Sequence, residues 1–231
     1  MQRHEVNQHL LRQFTNPSYL EIGVDQGITF GLVQAARKVA VDLRFAFDWR
    51  TAAADAANAH CSYHEMPSDD YFSVARGDET FDLVFIDGLH TYEQTLRDLM
   101  NALACLKPGG IIVIDDVMPT TYASSLPDLA LSRQFWLATN NPDGSWMGDV
   151  FRLVFFIETF LPAYSYATVA ENHGQLVLWQ QPRATIPYRS VEYTSRLQYV
   201  DAVMNAGTFR VTPFSDIAAR VHDWRRSRGD V

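Results

Sequence analysis

The sequence predicts an α/β fold in which helices cover both faces of a mostly parallel sheet, as in a three-layer sandwich. Short apolar runs alternate with segments of helical periodicity through the first half of the chain, which is the pattern of repeated strand–helix–strand units. Two of the runs, Phe81 to Ile86 and Ile111 to Ile114, are almost entirely apolar, as expected of parallel strands buried on both faces. Most runs end in acids or glycine turns, so polar groups should collect at one edge of the sheet, where such folds bind ligands.

Length and composition fit one soluble globular domain. The chain has 231 residues, of which 47% are hydrophobic and 20% charged. We predict a single domain over 1–231, with a core over about 15–182, an insertion over about 120–150 and a helical extension over about 188–228. The sequence does not specify an oligomeric state.

Charge and cysteine content exclude several classes of protein. A formal net charge of −8 disfavours nucleic acid as a partner, because phosphate binding requires clustered basic residues. The basic cluster of Arg225, Arg226 and Arg228 is predicted to be a solvated tail. Cys61 and Cys105 form no disulfide framework. Since no apolar run approaches the about 20 residues of a membrane span, and no signal-peptide core is present, we expect a cytoplasmic protein.

The first half of the chain predicts strand–helix units in order. Its predicted elements are a helix over 4–14, a strand over 19–24, a helix over 29–37, a strand over 38–42, a helix over 51–59, a strand over 62–66 and a short helix through 75. Ser68 is predicted to cap the short helix.

The second half begins with the strongest pattern in the chain. Between the two apolar strands, a helix over 91–106 is predicted to open with a capping box of Thr91 and Gln94, and to stop at Pro108 and the two glycines after it. Residues 120–148 are expected to be irregular. The remaining predicted elements are a helix over 149–160, an antiparallel hairpin of strands 164–170 and 175–180, and helices over 191–204 and 215–225.

The first glycine turn discriminates between cofactors. A dinucleotide site has glycine where its backbone approaches the pyrophosphate, but the turn from Gly23 to Gly27 carries Asp25 at that point. A carboxylate repels a pyrophosphate and tolerates an amino group and a sulfonium. The turn, together with Glu21, therefore favours S-adenosylmethionine over NAD.

Five segments, in this order, resemble class I S-adenosylmethionine-dependent methyltransferases, and most closely the methyltransferase-24 family of sugar and natural-product O-methyltransferases. They are Leu-Glu-Ile-Gly-Val-Asp-Gln-Gly (20–27), Val-Ala-Val-Asp (39–42), Met-Pro-Ser-Asp-Asp-Tyr-Phe (66–72), Phe-Asp-Leu-Val-Phe-Ile-Asp-Gly-Leu-His-Thr-Tyr-Glu (81–93) and Lys-Pro-Gly-Gly-Ile-Ile-Val-Ile-Asp-Asp (107–116). The segment Trp-Met-Gly-Asp-Val (146–150) is similar to a further motif of some members.

The resemblance implies a Rossmann-like sheet of seven strands with an antiparallel last strand, and a set of cofactor contacts. It implies that Glu21 and the two turn glycines surround the methionine part of the cofactor, and that Ser68 and Asp69 meet its adenine end. Asp42, at the end of the second strand, is predicted to bind the ribose, with Asp48 as the alternative. The full predicted cofactor-binding set is Glu21, Gly23, Asp25, Gly27, Asp42, Ser68, Asp69 and Asp87.

A second group of acids ends the two central strands. Asp87 follows one strand, and Asp115 and Asp116 follow its neighbour. Because adjacent strands lie about 4.8 Å apart, these carboxylates can converge on one hard cation such as Mg²⁺, which would lower the pKa of an acceptor hydroxyl. The alternative is that they frame the cofactor without a metal. His90 is the predicted general base, with Asp87 as its catalytic partner.

The predicted function is methyl transfer to a hydroxyl of a small molecule, such as a sugar or natural product. Tyr122, Trp146 and Asp149 are the predicted acceptor contacts, and Trp136 is a further aromatic candidate. The aromatic residues among them would look the same if they only packed the insertion. Two other functions stay open, an NAD(P)-linked oxidoreductase on a similar sheet, which Asp25 disfavours, and a non-catalytic methyltransferase-like module that binds a protein partner.

Overall fold

The computed structural model describes residues 1–230, so that Val231, the last residue of the predicted domain, lies outside the described residues. The strands are β1 (Ser18–Ile22), β2 (Arg37–Asp42), β3 (Cys61–Glu65), β4 (Phe81–Ile86), β5 (Leu106–Ile114), β6 (Ser165–Val169), β7 (Leu176–Trp179) and β8 (Val211–Thr212). The helices are α1 (Arg3–Leu11), α2 (Ile28–Leu32), α3 (Trp49–Ala54), α4 (Ser68–Asp70), α5 (Tyr92–Cys105), α6 (Leu129–Ala138), α7 (Arg152–Phe160), α8 (Val191–Arg196), α9 (Tyr199–Met204) and α10 (Phe214–Arg228).

The strands form one sheet in the order β3-β2-β1-β4-β5-β7-β6-β8. Strands β1 to β5 are parallel to one another, whereas β7 is antiparallel to both β5 and β6. The predicted mostly parallel sheet with an antiparallel hairpin is therefore confirmed, but it has eight strands and not seven. The extra strand, β8, pairs with β6 through only two residues and has no extended apolar pattern to reveal it.

The order of the strands creates the place for a ligand. The chain runs outward from β1 through β2 to β3 and then returns to the other side of β1 with β4. Loops that leave β1 and β4 thus diverge to opposite faces, and ligands in open α/β sheets bind in the crevice between such loops. Gly23 follows β1 and Asp87 follows β4, so both belong to this crevice.

Two apolar layers sandwich the sheet. One buried cluster joins one sheet face to α5 and α7, for example through Leu99 and Phe155. The other joins the opposite face to α1 and α10, for example through Leu10 and Val221. Because α1 packs its buried side on the sheet, its first residue lies beside the ends of β4 and β5.

The boundary between α5 and β5 differs from the sequence prediction. The helix ends at Cys105, and β5 begins at once with Leu106, so the Pro-Gly-Gly sequence lies inside the strand as an irregularity in its pairing with β4. Arg225 is only 3% exposed and donates a hydrogen bond to the Gly109 carbonyl in this irregular segment. The prediction of a solvated basic tail was wrong for Arg225, because α10 packs against the sheet and brings this side chain to a buried strand carbonyl that needs a donor.

Local signals also misplaced two helix caps. Pro67, and not Ser68, occupies the capping position of α4. Thr91 makes no side-chain capping bond at α5, so the predicted capping box with Gln94 is not formed. Both Ser68 and Gln94 instead donate to the buried carboxylate of Asp98, because α4 and α5 pack together around it and the buried acid requires donors.

Other boundaries shifted where local patterns were weak. Helix α6 lies inside the segment predicted to be irregular, and Asp128 caps it by accepting from the Leu131 N–H. The helix predicted over 191–204 is two helices, separated at Leu197 and Gln198. Among the helices of residues 1–230, none combines the length and apolarity that a bilayer crossing requires.

Candidate active site

A cleft of about 620 Å³ opens at the carboxyl ends of β1, β2 and β4, at the point where the strand order reverses. Seven of the eight predicted cofactor-binding residues line it, namely Glu21, Gly23, Asp25, Asp42, Ser68, Asp69 and Asp87. Arg3, His90, Gln94, Asp98 and Trp146 line it as well. Residues from four separate sequence motifs therefore meet in one concave site of the size that holds a small cofactor.

Gly23 permits the closest approach between the loops after β1 and β4. Its φ is +81°, and a Cβ atom at this position would lie 2.0 Å from the Asp87 carbonyl oxygen. Any side chain would push the two loops apart. The amide N–H of Gly23 also donates to the Val41 carbonyl at 2.9 Å, which ties the turn to β2.

Asp42 holds the glycine turn in shape. One carboxylate oxygen accepts the N–H groups of Val24 at 2.7 Å and of Asp25 at 2.8 Å, and the other accepts that of Arg44 at 2.9 Å. These bonds support Asp25 in a left-handed conformation, with φ of +47°, that acidic residues adopt infrequently. Sequence reasoning gave Asp42 a ribose contact only, and its support of the turn was missed.

Gly27, the eighth predicted cofactor-binding residue, and Asp48 are not among the described residues that line the cleft. Gly27 has φ of +75° and ends the turn ahead of α2, where a Cβ atom would be 3.0 Å from the Phe47 ring. The carboxylate of Asp48, the alternative ribose ligand, instead caps α3 through the backbone N–H and the hydroxyl of Thr51.

Glu21 forms part of the cleft floor in an unusual environment for an acid. It is 1% exposed, and its carboxylate accepts a hydrogen bond from the Tyr19 hydroxyl at 2.5 Å. Burial raises the pKa of Glu21 to about 8, against the opposing effects of the Tyr19 bond and of the nearby Lys38 charge. A buried carboxyl that carries so little compensating charge is suited to a cationic ligand group.

The adenine end predicted from the sequence is built around an acid that sequence reasoning missed. Asp98, from α5, accepts hydrogen bonds from the Ser68 hydroxyl at 2.6 Å and from the Gln94 amide at 3.2 Å. The same Gln94 amide lies 3.4 Å from an Asp69 oxygen. Burial raises the pKa of Asp98 to about 6, and the two hydrogen bonds oppose that rise.

The three acids at the ends of β4 and β5 converge, as the sequence predicted. β5 ends at Ile114, and the next two side chains reach the same place because Asp116 adopts a left-handed conformation, with φ of +58°. Asp115 and Asp116 are 3% and 4% exposed. Burial, followed by the charges of Asp87 and Asp116, raises the pKa of Asp115 well above its usual range.

Two cations lie among these acids, and only one of them, His90, was expected. The guanidinium of Arg3 forms ion pairs with Asp115, with Asp87 at 3.3 Å and with Asp116 at 3.6 Å. His90 Nε2 lies 3.5 Å from Asp87 and 3.2 Å from Asp116. We call these five side chains, Arg3, Asp87, His90, Asp115 and Asp116, the acid cluster.

His90 is held in a fixed orientation at the mouth of the site. Its Nδ1–H donates to the Trp146 carbonyl at 2.9 Å, so Nε2 faces the carboxylates, and the two rings lie 4.9 Å apart. Burial lowers the pKa of His90, but the bond to Asp87 and the charges of Asp116 and Asp87 outweigh burial and raise it to about 9. The imidazole is therefore protonated at neutral pH.

The acid cluster has donors that fit a divalent cation. Asp87, His90 and Asp116 each offer one ligand atom, and these atoms lie within 4.8 Å of one another. The third predicted ligand, Asp115, has a buried oxygen, Oδ2, with no hydrogen-bond partner among the described residues. Carboxylate oxygens with one imidazole nitrogen are a donor set that first-row divalent ions and Mg²⁺ accept.

The predicted acceptor residues are spread over the segment after β5. Trp146 lines the cleft, and its indole N–H donates to the Leu126 carbonyl at 2.7 Å. Tyr122 is half exposed and packs on Phe135 of α6, with ring centres 5.0 Å apart. Trp136, the further aromatic candidate, lies on α6 beside Gly144, where a Cβ atom would be 3.2 Å from its ring.

Asp149 uses both carboxylate oxygens for contacts within the protein. One carboxylate oxygen accepts the Tyr92 N–H at the start of α5 at 2.6 Å, and the other pairs with Arg152 at 2.5 Å. Both oxygens thus bind protein groups, and the residue is buried. An acceptor contact by Asp149 stays a prediction.

Comparison with protein families gives one match. Residues 20–117 match the model of the methyltransferase-24 family, which is described as a methyltransferase domain. This range contains all five segments that carried the resemblance in the sequence. No curated protein matches the chain.

Solved structures with the same fold are distant in sequence. Cofactor-bound Rv0187 from MTB is 17% identical, with a TM-score of 0.52 over 79% of this chain and 82% of the other. A candidate caffeoyl-CoA O-methyltransferase from Staphylococcus aureus is 15% identical, with a TM-score of 0.52 over 78% and 84%. A candidate O-methyltransferase from Klebsiella pneumoniae is 16% identical, with a TM-score of 0.51 over 78% and 81%. These likenesses confirm the predicted fold class.

Proposed function

The chain contains a class I methyltransferase domain of the methyltransferase-24 family over residues 20–117, and we propose that it transfers a methyl group from S-adenosylmethionine to a hydroxyl of a small molecule. The observation that carries the choice of cofactor is the acidic lining of the cleft. Glu21, Asp25, Asp42 and Asp69 all line it. Such a lining suits a ligand with an amino group and a sulfonium and disfavours a pyrophosphate.

In this proposal, different residues of the chain contact different parts of the cofactor. Glu21 binds the amino group of the methionine part, because that cation compensates a buried carboxylate whose pKa is otherwise raised to about 8. Asp42 accepts from a ribose hydroxyl with the lone pair that its three backbone hydrogen bonds leave free. Ser68 and Asp69, beside Asp98, meet the adenine. The neighbouring structure from MTB is described as cofactor-bound, which supports a cofactor on this fold.

Transfer to oxygen requires a deprotonated nucleophile in line with the methyl group. S-adenosylmethionine, when bound, supplies an electrophilic methyl group on a sulfonium. His90 Nε2 is protonated at rest, so it first releases that proton to water and then accepts the proton of the acceptor hydroxyl, while Asp87 keeps the ring oriented from 3.5 Å. The new bond joins the methyl carbon to the acceptor oxygen, the bond to sulfur breaks, and the sulfur keeps the electron pair.

The proposal extends to a divalent cation. Asp87, Asp115 and Asp116 would hold Mg²⁺, which would supply Lewis acidity for lowering the pKa of the acceptor hydroxyl. This part of the proposal is supported by the contacts of all three carboxylates with one guanidinium, and by the ligand atoms of Asp87, His90 and Asp116, which lie within 4.8 Å of one another. Two structures of the same fold are described as candidate O-methyltransferases, which supports oxygen as the acceptor atom.

The acceptor enters from the side of the segment after β5. Trp146 lines the cleft there, and the half-exposed Tyr122 belongs to the same segment; aromatic faces of this kind bind sugar rings and planar natural products. The net charge of −8 favours a small-molecule acceptor over nucleic acid. A cytoplasmic location stays a prediction.

Calorimetry with S-adenosylhomocysteine tests the choice of cofactor. We expect saturable binding to the full chain and about tenfold weaker binding to Glu21→Gln, since a neutral amide no longer compensates the amino group. His60→Gln, which changes an exposed residue, serves as a control with unchanged affinity. Binding of NAD with no binding of S-adenosylhomocysteine at near-millimolar concentration would replace the proposal with the oxidoreductase. If Mg²⁺ assists, turnover with an acceptor should fall on addition of EDTA and recover with Mg²⁺.

A further inference from the structure

We propose that Arg3 occupies the cation position of the acid cluster, and that its guanidinium and a divalent ion bind the three carboxylates in a mutually exclusive way. This inference deepens the proposed function, because it concerns the same methyl-transfer site. It assigns a role to a side chain at the start of α1, outside residues 20–117 that match the methyltransferase domain.

The contacts of Arg3 are those that a ligated ion would make. Asp87 gives one carboxylate oxygen to Arg3 and the other to His90, and Asp116 does the same. Asp115 Oδ2 pairs with the Arg3 Nε. The guanidinium therefore lies among all three acids, and an ion placed there would meet the same oxygens.

An independent observation indicates that the carboxylates are not fully satisfied by Arg3. Asp115 Oδ2 is buried, points into the cluster and has no hydrogen-bond partner of good geometry in residues 1–230, although the Arg3 charge is close to it. A buried carboxylate oxygen without a directed donor is costly. A metal ion accepts a lone pair without requiring a hydrogen at a fixed angle, so it would satisfy this oxygen more fully than the ion pair with Arg3 does.

Charge also favours the exchange. Three carboxylates face two single positive charges, the Arg3 guanidinium and the protonated His90, and a doubly charged ion in place of the guanidinium would compensate more of their mutual repulsion. The cost of the exchange is the loss of three ion pairs by Arg3. That cost is moderate, because 41% of the Arg3 side chain is already exposed and can return to water.

The rest of α1 can stay in place when the side chain leaves. The helix is fixed by the buried Val6, Leu10 and Leu11 on its inner side, and its first turn is closed by Gln2 and Glu5. Since the ion and Arg3 compete for the same carboxylates, ion binding is linked to the position of the Arg3 side chain, which also lines the cofactor cleft. Such linkage is reciprocal, so Arg3 must weaken the affinity of the site for the ion.

The test measures binding of Mn²⁺, which takes oxygen and imidazole ligands and is visible by electron paramagnetic resonance. Wild type, Arg3→Gln and Arg12→Gln are compared, without acceptor. Arg12 is exposed at the other end of the same helix, so its change removes the same charge away from the cluster. We expect Arg3→Gln to bind Mn²⁺ about tenfold more tightly or more, within the range typical of coupled sites, and Arg12→Gln to match wild type. In Arg3→Gln, a second change of Asp116→Asn should abolish the gain.

Each contrary result is informative. Equal Mn²⁺ affinity in wild type and Arg3→Gln would overturn the exclusion. An equal gain of Mn²⁺ affinity in Arg12→Gln would show that the effect depends only on the overall charge of the protein, and it would also overturn the exclusion. If Arg3→Gln binds no Mn²⁺ yet still binds S-adenosylhomocysteine, the cluster is not an ion site, and the inference fails while methyl transfer stands. If wild type does not bind S-adenosylhomocysteine, the proposed function itself fails.

Discussion

The two ends of the cleft place buried acids in opposite settings. At the proposed methyl-transfer end, Asp87, Asp115 and Asp116 share two cationic groups, Arg3 and His90. At the proposed adenine end, Asp98 has hydrogen bonds from neutral groups, the Ser68 hydroxyl and the Gln94 amide. The first end stabilises charge with charge, and the second stabilises a single carboxyl with directed donors.

This difference separates reaction from recognition. Groups that gain or lose protons during catalysis must tolerate changes of charge, and a network of several acids with two cations can redistribute it. A neutral ligand such as adenine requires donors and acceptors in fixed positions, which hydrogen bonds supply with less need for charge. Substitutions at the two ends should therefore act on different measurements.

The largest expected effect is on turnover at the methyl-transfer end. His90→Gln keeps a donor near Asp87 and Asp116 but cannot accept the acceptor's proton, so kcat/KM should fall about 100-fold, as on removal of a general base. Affinity for S-adenosylhomocysteine should stay within about twofold of wild type, by calorimetry, because His90 contacts no group of the adenine end. His60→Gln is the matched control. A loss confined to cofactor affinity would contradict the separation of the two ends.

A smaller effect, on stability, is expected at the adenine end. The pKa of Asp98 is raised by burial from its usual value to about 6. An acid with a raised pKa in the folded state costs no stability below its unfolded pKa and the full amount above its folded pKa. Wild type should thus lose about 2 kcal/mol of unfolding free energy between about pH 4 and pH 7 through this group.

Asp98→Asn should not show that loss, because the amide is neutral and its oxygen can still accept from Ser68 and Gln94. Urea unfolding at several pH values measures the difference between the two proteins, which should grow in favour of the variant as pH rises. Asp78→Asn, which changes an exposed acid in the loop before β4, is the control. A difference that does not change with pH would show that the Asp98 carboxyl is not destabilised by burial.

The smallest expected effect concerns the hydroxyl that supports Asp98. Ser68→Ala removes the 2.6 Å hydrogen bond, so unfolding free energy at pH 7 should fall by about 1 kcal/mol. The loss should shrink at low pH, since a neutral carboxyl gains less from the donor. Ser73→Ala, on the exposed side of the next turn, should change neither value by as much. A larger effect of Ser68→Ala on kcat than on cofactor affinity would place Ser68 at the wrong end of the cleft.

The central sheet and its ligand edge could be predicted because their signals are local. Phe81 to Ile86 is apolar on both faces, and no other element type buries a short run in that way. The turn from Gly23 to Gly27 could be predicted because its backbone conformations require glycine at these positions. Asp42, Asp87 and Asp116 were found because acids at the ends of parallel strands must share one edge.

Other features were hidden because their causes are not local. Helix α6 was missed since its sequence is mixed and its apolar side chains, such as Leu131 and Leu137, remain exposed. The capping box of Thr91 and Gln94 matched its pattern, yet a nearby buried acid competed for Gln94. Arg225 looked like part of a charged tail, because only the packing of α10 shows which carbonyl it reaches.

The sequence by itself determined the order of the strands and helices, the sheet edge at which the acids meet and the preference for S-adenosylmethionine over a dinucleotide. Each of these depends on residue types at short spacing. Only the tertiary structure decided what charges face those acids. Arg3 reaches Asp115 because α1 packs across the ends of β4 and β5, with Val6 and Leu10 buried. The spacing of these apolar residues in the sequence indicates a helix, but it does not show where on the sheet the helix packs. The partners of a buried charge depend on which elements lie side by side, and long-range packing sets that arrangement.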